Sequence, residues 1–235
     1  MIQFSTMRAR LGLASATMLV LVAVSSAPVA ADTGPVGDGT YTQRGTSAYF
    51  SAGDCLSNDN GTTTCSQTEL SVFVGKMSDT VSGVIHSRQV CYFTAVVTYD
   101  DETGEYADGF GYEAGCVEDI SSKSLVVGAK LSSLALAATT ISIQRFDCAD
   151  KGEECLPGAV RDMTVSGTWT GLGQVYSSKD RSTGDDGYCR YSSSFSGSGR
   201  EAGFTGSVDG QSVSGDSYAS LQNGKMTFRS RCVEV

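Results

Sequence analysis

The sequence predicts an all-β fold, an antiparallel sandwich or barrel, and three observations lead to it. Apolar residues alternate with polar ones at the period of a strand, as at Met163, Val165 and Trp169. Asp-Gly and Asn-Gly dipeptides, typical of hairpin turns, separate such segments in a chain with 28 Gly and 3 Pro. An even number of cysteines, eight, follows an N-terminal segment typical of exported proteins. These features favour short strands held by disulfides.

The first 31 residues have the three regions of a secretory signal peptide. Arg8 and Arg10 precede an apolar run over 11–24, and small residues ending at Ala31 follow. The apolar run has 14 residues, which is shorter than the roughly 20 residues that cross a bilayer. Cleavage after Ala31 therefore predicts a secreted, extracellular and acidic protein with no membrane span in the mature chain.

The mature chain divides into four further segments. Residues 32–40 are Gly-rich and predict a flexible lead-in. A first β repeat is placed at 41–119, where the run 90–99 is rich in β-branched and aromatic residues. Residues 120–140 fit both a strand and a helical stripe, and we expect two connecting strands there. A second β repeat is placed at 141–235.

Two dipeptides in the second repeat predict hairpin turns. Asp209-Gly210 and Asn223-Gly224 each lie between alternating segments, and such pairs favour the turn that matches the twist of two strands. Antiparallel pairing near the end of the chain follows from both.

The eight cysteines occur in two sets with the same local order. Each set has Asp-Cys, a second cysteine, a third near aromatic residues and a fourth in Cys-Val-Glu. This order predicts an internal repeat of two duplicated, disulfide-containing halves, in which each cysteine pairs with the next along the chain. No Cys-x-x-Cys pair accompanies the single histidine, so we assign the thiols to disulfides rather than to zinc. The sets are Cys55, Cys65, Cys91 and Cys116, and Cys148, Cys155, Cys189 and Cys232.

Composition excludes several classes of function. The chain has 17 Lys and Arg against 26 Asp and Glu, and the net charge of −9 argues against nucleic acid or an anionic membrane as partner. His86 is the single histidine, and no nucleophile elbow accompanies it. No histidine follows Ser217 of the Gly-Asp-Ser segment, as a catalytic serine there would require. These absences favour a protein that is not an enzyme. A carboxylate pair contributed by distant strands stays open as an alternative.

Acidic turns suggest a calcium site. The segments 58–61, 100–102 and 185–186 carry carboxylate or amide oxygens in loops, which Ca²⁺ requires. The EF-hand pattern fails because Leu56 occupies the position of its first aspartate. Asp, Asn and Gly also form ordinary turns. We assign no cofactor, with Ca²⁺ as the one metal that the sequence leaves open.

Four aromatic residues of the first repeat give a ligand-binding hypothesis. Such rings stack on sugars while neighbouring carboxylates accept hydrogen bonds from hydroxyls, although tyrosines of β proteins also pack in cores. We expect a secreted, disulfide-stabilised, non-catalytic protein that binds an extracellular protein or a glycan, or that acts at a cell surface. The alternatives are a hydrolase that uses two carboxylates and an inhibitor of a secreted enzyme. The four residues are Tyr99, Tyr106, Phe110 and Tyr112.

Overall fold

Twelve antiparallel strands in one sheet make up the described part of the chain. The computed structural model describes residues 39–79, 83–84, 88–104, 110–148, 155–185, 189–215 and 218–232. The first strands are β1 (Gly39–Ser57), β2 (Thr62–Asp79), β3 (Gly83–Val84), β4 (Arg88–Asp100) and β5 (Phe110–Glu118). The others are β6 (Leu125–Val127), β7 (Ser133–Cys148), β8 (Cys155–Gly171), β9 (Tyr176–Asp185), β10 (Cys189–Val208), β11 (Gln211–Gly215) and β12 (Ala219–Cys232), with a short 3-10 helix at Ala129–Leu131.

Eight of these strands close into a ring. Their order is β1, β12, β10, β8, β7, β5, β4 and β2, and β2 pairs back to β1. The shorter strands β3, β6, β9 and β11 extend the sheet at β2, β7 and β10. Each ring strand pairs with the next ring strand along the chain, so the topology is an up-and-down meander. The predicted all-β antiparallel class is confirmed, and of the two predicted architectures, sandwich or barrel, the closed ring corresponds to the barrel.

One apolar core fills the ring, and both predicted repeats contribute to it. Alternate residues point inward, as at Phe50 in β1, Leu70 in β2 and Phe204 in β10, each at most 1% exposed. The rings of Phe50 and Phe204 stack with centroids 4.0 Å apart. Trp169 is fully buried and donates its indole N–H to the carbonyl oxygen of Tyr49 at 3.0 Å. The two halves of the chain therefore share a single core.

Four disulfides join ring strands at directly opposite residues, in the pairings that closure within each repeat predicts. Each half of the chain supplies four ring strands and two bridges in the same order. A duplication would produce this equivalence, and the duplication itself stays a prediction. The bridges are Cys55–Cys65 between β1 and β2, Cys91–Cys116 between β4 and β5, Cys148–Cys155 between β7 and β8, and Cys189–Cys232 between β10 and β12.

The described strands can be compared with the predicted segments, which themselves stay predictions. Strand β1 begins at Gly39, so the last two residues of the predicted lead-in are in a strand. The segment 120–140, where two connecting strands are predicted, contains β6 and the beginning of β7, and β7 continues to Cys148. The predicted signal peptide lies outside the described residues. Within the described part of the chain, no helix has the length and apolar character needed to cross a membrane.

One of the two predicted hairpin turns is wrong. Asp209-Gly210 does form the turn between β10 and β11, with φ of 51° and 79°. Asn223-Gly224 instead lies inside β12, where the Asn223 side-chain amide donates a hydrogen bond to the Thr46 hydroxyl at 2.7 Å. The dipeptide favours a turn, but glycine also occurs in strands where a neighbouring backbone comes close.

A row of four glycines crosses the ring just beyond the core. Gly75 in β2, Gly45 in β1, Gly224 in β12 and Gly197 in β10 are directly opposite one another in turn. A Cβ atom built on Gly45 would lie 2.2 Å from the carbonyl oxygen of Val74. The strands therefore approach too closely at this level for any side chain.

Candidate functional site

Aromatic side chains form a row on the outward face of three neighbouring strands. Tyr112 in β5 stacks on Phe146, directly opposite in β7, with ring centroids 4.8 Å apart. The ring of Phe93 in β4 lies 5.8 Å from Tyr112, and that of Phe110 lies 6.4 Å from it. All four side chains are half-buried. We call these residues the aromatic row.

The aromatic row differs in membership from the predicted set. Phe110 and Tyr112 belong to both, and Tyr99 lies in β4 on the face that alternation also gives to Phe93. Tyr106 lies outside the described residues. Sequence reasoning missed Phe93 and Phe146. Phe93 is next to Tyr92 in a strand, and neighbouring strand residues point to opposite faces, so the ring of Phe93 points outward because Tyr92 is buried.

Glu69 is the carboxyl group next to the aromatic row, directly opposite Phe93. Its side chain is 3% exposed, and its Oε1 accepts a hydrogen bond from the Gln67 amide at 2.5 Å. Its Oε2 has no hydrogen-bond partner among the described residues. Burial raises the pKa of this carboxyl group, and hydrogen bonds from Tyr49 and Gln67 offset part of the rise. Burial and the nearby Glu69 charge also raise the pKa of the Tyr49 hydroxyl.

Two of the carboxylates proposed as calcium ligands, Asp100 and Asp101, accept hydrogen bonds from the protein itself. Asp100 Oδ1 accepts hydrogen bonds from the backbone N–H groups of Glu102 and Thr103 and from the Thr103 hydroxyl, and these bonds lower the pKa of Asp100. The Thr63 hydroxyl donates to Asp101 at 2.6 Å. Across the described ranges, no group of three or more His, Cys, Asp or Glu residues is placed to hold a metal ion. His86, Asp186 and Ser217 lie outside those ranges.

Inward-facing positions beyond the core carry charge at both ends of the ring. At the end that contains the tips of β7 and β8, Arg161 pairs with Glu113 at 2.8 Å and with Asp209 at 2.9 Å. Arg145 pairs with Asp147 at 2.8 Å. We call this the paired end, because each of these charges lies against one of opposite sign.

At the other end, a row of cations crosses five neighbouring strands. Lys76 in β2, Arg44 in β1 and Lys225 in β12 are directly opposite one another in turn, and Ser196 in β10 and Lys179 in β9 continue the line. Directly opposite residues of paired strands point to the same side of the sheet. The four cations, which we call the cation row, are therefore on one face, and all four are exposed.

Strand alternation adds four more cations to this face. Arg181 follows Lys179 two positions later in β9, and Arg229 and Arg231 follow Lys225 in β12, where Arg231 is opposite Arg190. The positions between them carry hydroxyls. We define the basic face as Arg44, Lys76, Lys179, Arg181, Arg190, Lys225, Arg229 and Arg231, with Thr40, Thr42, Thr183, Ser192, Ser194, Ser196 and Thr227 between the cations.

Carboxylates neutralise little of the basic face. Asp185 pairs with Arg190 at 3.1 Å, where the Arg190 side chain is 85% exposed. Asp180 accepts a hydrogen bond from the backbone N–H of Arg181 and borders an open depression lined also by Lys179 and Lys225. In the described part of the chain, the other seven cations form no ion pair. Exposed like charges without counter-charges attract anions.

Sequence reasoning missed the basic face because it used the net charge. The signal was local: Lys225, Thr227, Arg229 and Arg231 alternate basic and hydroxyl side chains at the strand period. Each strand alone shows one to four such residues. Only the pairing register brings five strands together into one face.

Comparisons with known proteins do not identify a relative of this chain. No protein-family model, no curated protein and no solved structure matches it at a significant level. Function is therefore inferred from the basic face and the aromatic row.

Proposed function

We propose that the chain is an exported, non-catalytic binding protein and that its basic face holds an anionic ligand outside the cell. The observation that carries this proposal is the set of eight cations on one face of five adjacent strands, of which Arg190 alone has an ion-pair partner among the described residues. Lys and Arg side chains stay charged at every physiological pH. The four disulfides fit an oxidising, extracellular environment.

The negative net charge does not prevent such binding. At physiological ionic strength, exposed charges act over a screening length of about 8 Å. A ligand on the basic face therefore responds mainly to the cations beside it, and acidic residues in distant turns act weakly. The net charge still lowers non-specific attraction to polyanions elsewhere on the molecule.

A second candidate is the stacking of neutral sugar rings on the aromatic row. The half-buried rings of Tyr112 and Phe146 favour it, because aromatic side chains offer a large apolar contact area at little cost in side-chain entropy. Tyr99 and Tyr106 are the further members that the sequence predicts for this site. Tyr112→Ala should weaken binding to neutral glycans and leave binding to anions unchanged, which separates the two candidates.

Chromatography on a resin that carries sulfonate groups tests the basic face. A protein of this net charge should pass through such a resin at pH 7, whereas the basic face predicts retention at low salt and elution as salt rises. Lys179→Glu should elute earlier than the native protein. The control Lys123→Glu makes the same change of charge in an exposed turn outside the basic face and should elute with the native protein. Equal shifts for the two variants would contradict the proposal.

A further inference from the structure

We infer that the anionic ligand is a linear acidic polysaccharide that lies across the strands along the cation row. This inference rests on the proposed function, because it names the ligand of the same face. Three features of the face carry it: the spread of the cations, the hydroxyls between them and the side of the sheet on which the aromatic rings lie.

The spread of the cations fits a polymer better than a small anion. From Lys76 to Lys179 the cation row covers four inter-strand steps of about 4.8 Å, or about 19 Å in all. A small anion is held by donors that converge on one point. Here the cations follow one another along a line, so a chain with repeated negative charges can contact several of them at once.

The hydroxyls between the cations fit a sugar polymer. Ser196 lies in the line between Lys225 and Lys179, and the neighbouring line contains Thr42, Thr227 and Ser194. A Ser or Thr hydroxyl both donates and accepts hydrogen bonds. Such groups match the hydroxyls that a polysaccharide carries between its acidic groups, and polyphosphate offers no equivalent donors.

The aromatic rings of this part of the sheet lie on its opposite face. The ring of Tyr191 stacks on that of Phe228 with centroids 5.9 Å apart. The ring of Phe195 lies against the positions where Gly197 and Gly224 would carry Cβ atoms. Single-stranded nucleic acids bind where bases stack on aromatic side chains beside the cations, and membrane surfaces bind proteins that insert apolar groups. The basic face presents neither kind of side chain to its ligand, which favours a glycan.

Titration with polyanions of defined length tests the inference on the mature protein. The probes are oligogalacturonates of two to eight sugars, chondroitin sulfate, polyphosphate, oligothymidylate and phosphatidylglycerol vesicles. We expect affinity for the uronate series to rise with length until the oligomer spans the cation row, and then to level off. Chondroitin sulfate distinguishes sulfated from carboxylated polymers within the same class.

Variants at the ends of the cation row sharpen the titration. Lys76→Ser combined with Lys179→Ser should lower affinity for the longest oligomers about four- to twenty-fivefold, at about two- to fivefold per exposed ion pair, and leave the shortest unchanged. The slope of log affinity against log salt should fall by about 1 for each cation removed. The double control Lys123→Ser with Arg145→Ser removes two positive charges outside the basic face and should change neither quantity. Unchanged circular dichroism shows that each variant is folded.

Different outcomes overturn the inference and the proposed function. Polyphosphate, oligothymidylate or vesicles that bind more tightly than a uronate polymer of equal charge would overturn the inference and leave the anion-binding function intact. The same holds if affinity shows no dependence on oligomer length. If none of the probes binds, or if binding is equal in the row variant and the control, the proposed function is itself wrong.

Discussion

Both ends of the ring carry charged residues on the inward-facing side of the sheet, but the charges are paired at one end, whereas the cation row at the other end is unpaired among the described residues. At the paired end, Arg161 lies between Glu113 and Asp209, and the hydroxyls of Thr64 and Thr98 hydrogen-bond each other across β2 and β4. At the other end, the cation row is exposed, and no carboxylate of the described residues pairs with it. A face that satisfies its own polar groups has little to gain from a ligand, whereas unpaired like charges gain from an anion. Pairing therefore separates charges that are satisfied within the fold from charges that are available to a ligand.

The largest expected effect comes from a substitution in the apolar core, on which both ends of the ring depend. Phe204→Ala should lower the free energy of unfolding by about 3–5 kcal/mol, because it removes a buried ring that packs on Phe50 and Trp169. Urea unfolding can be followed by the fluorescence of the single tryptophan and, in parallel, by retention on the sulfonate resin. Coincident midpoints are expected for both proteins. If retention on the resin were lost at a lower urea concentration than the fluorescence transition, the basic face would unfold independently of the core.

Overpacking the glycine row should have the next largest effect and should act on one end. A Cβ on Gly224 would lie 2.8 Å from the carbonyl oxygen of Ser196, so Gly224→Val should cost about 1–3 kcal/mol and weaken anion binding by shifting the cation row. Gly184→Val in β9 is the matched control, because a Cβ there meets nothing within 4 Å. Denaturant midpoints and resin elution check both. Equal losses for the two variants would contradict the close approach of the strands.

The pH dependence of stability should be traceable to Glu69 beside the aromatic row. Because burial raises its folded-state pKa above the ordinary 4.5, the folded protein favours the protonated carboxyl group. Glu69 therefore lowers the unfolding free energy as pH rises from about 4.5 through the raised pKa, by at most about 1.4 kcal/mol per pH unit. Glu69→Gln should remove this part of the slope in urea titrations between pH 4 and 8. An unchanged slope would show that other groups cause it.

The smallest expected effect is the difference in stability between two variants, each of which removes one cation from one end of the ring. Arg161→Gln should lower stability by about 0.5–1 kcal/mol, because it leaves Glu113 and Asp209 without their partner at a half-exposed site. Arg44→Gln should leave stability unchanged or raise it by a few tenths of a kcal/mol, because it relieves repulsion with Lys76 and Lys225. Thermal midpoints at low salt measure both, and high salt should reduce the difference. Equal losses at the two sites would remove the contrast between the ends.

Local patterns in the chain predict much of the fold and little of the site. Alternation at Met163, Val165 and Trp169 identifies a strand, since these residues are buried on one side of β8. The pairing of β1 with β12 joins segments at opposite ends of the chain, and no local pattern contains it. The basic face depends on that pairing, because Arg44 meets Lys225 only when the ring closes. Asn223-Gly224 is a local pattern that predicts the wrong structure, because pairing with the distant strand β1 keeps this dipeptide in a strand.

The order of the disulfides has a consequence for how the protein matures. Along the chain each bridge is complete before the next one begins, and no bridge encloses another cysteine: Cys55–Cys65, Cys91–Cys116, Cys148–Cys155 and Cys189–Cys232. An oxidant that meets the chain from its N-terminus, and joins each free thiol to the next one that emerges, makes only native bonds. Oxidative folding of this chain can therefore proceed bridge by bridge from the N-terminal side, without the reshuffling that nested bridges require.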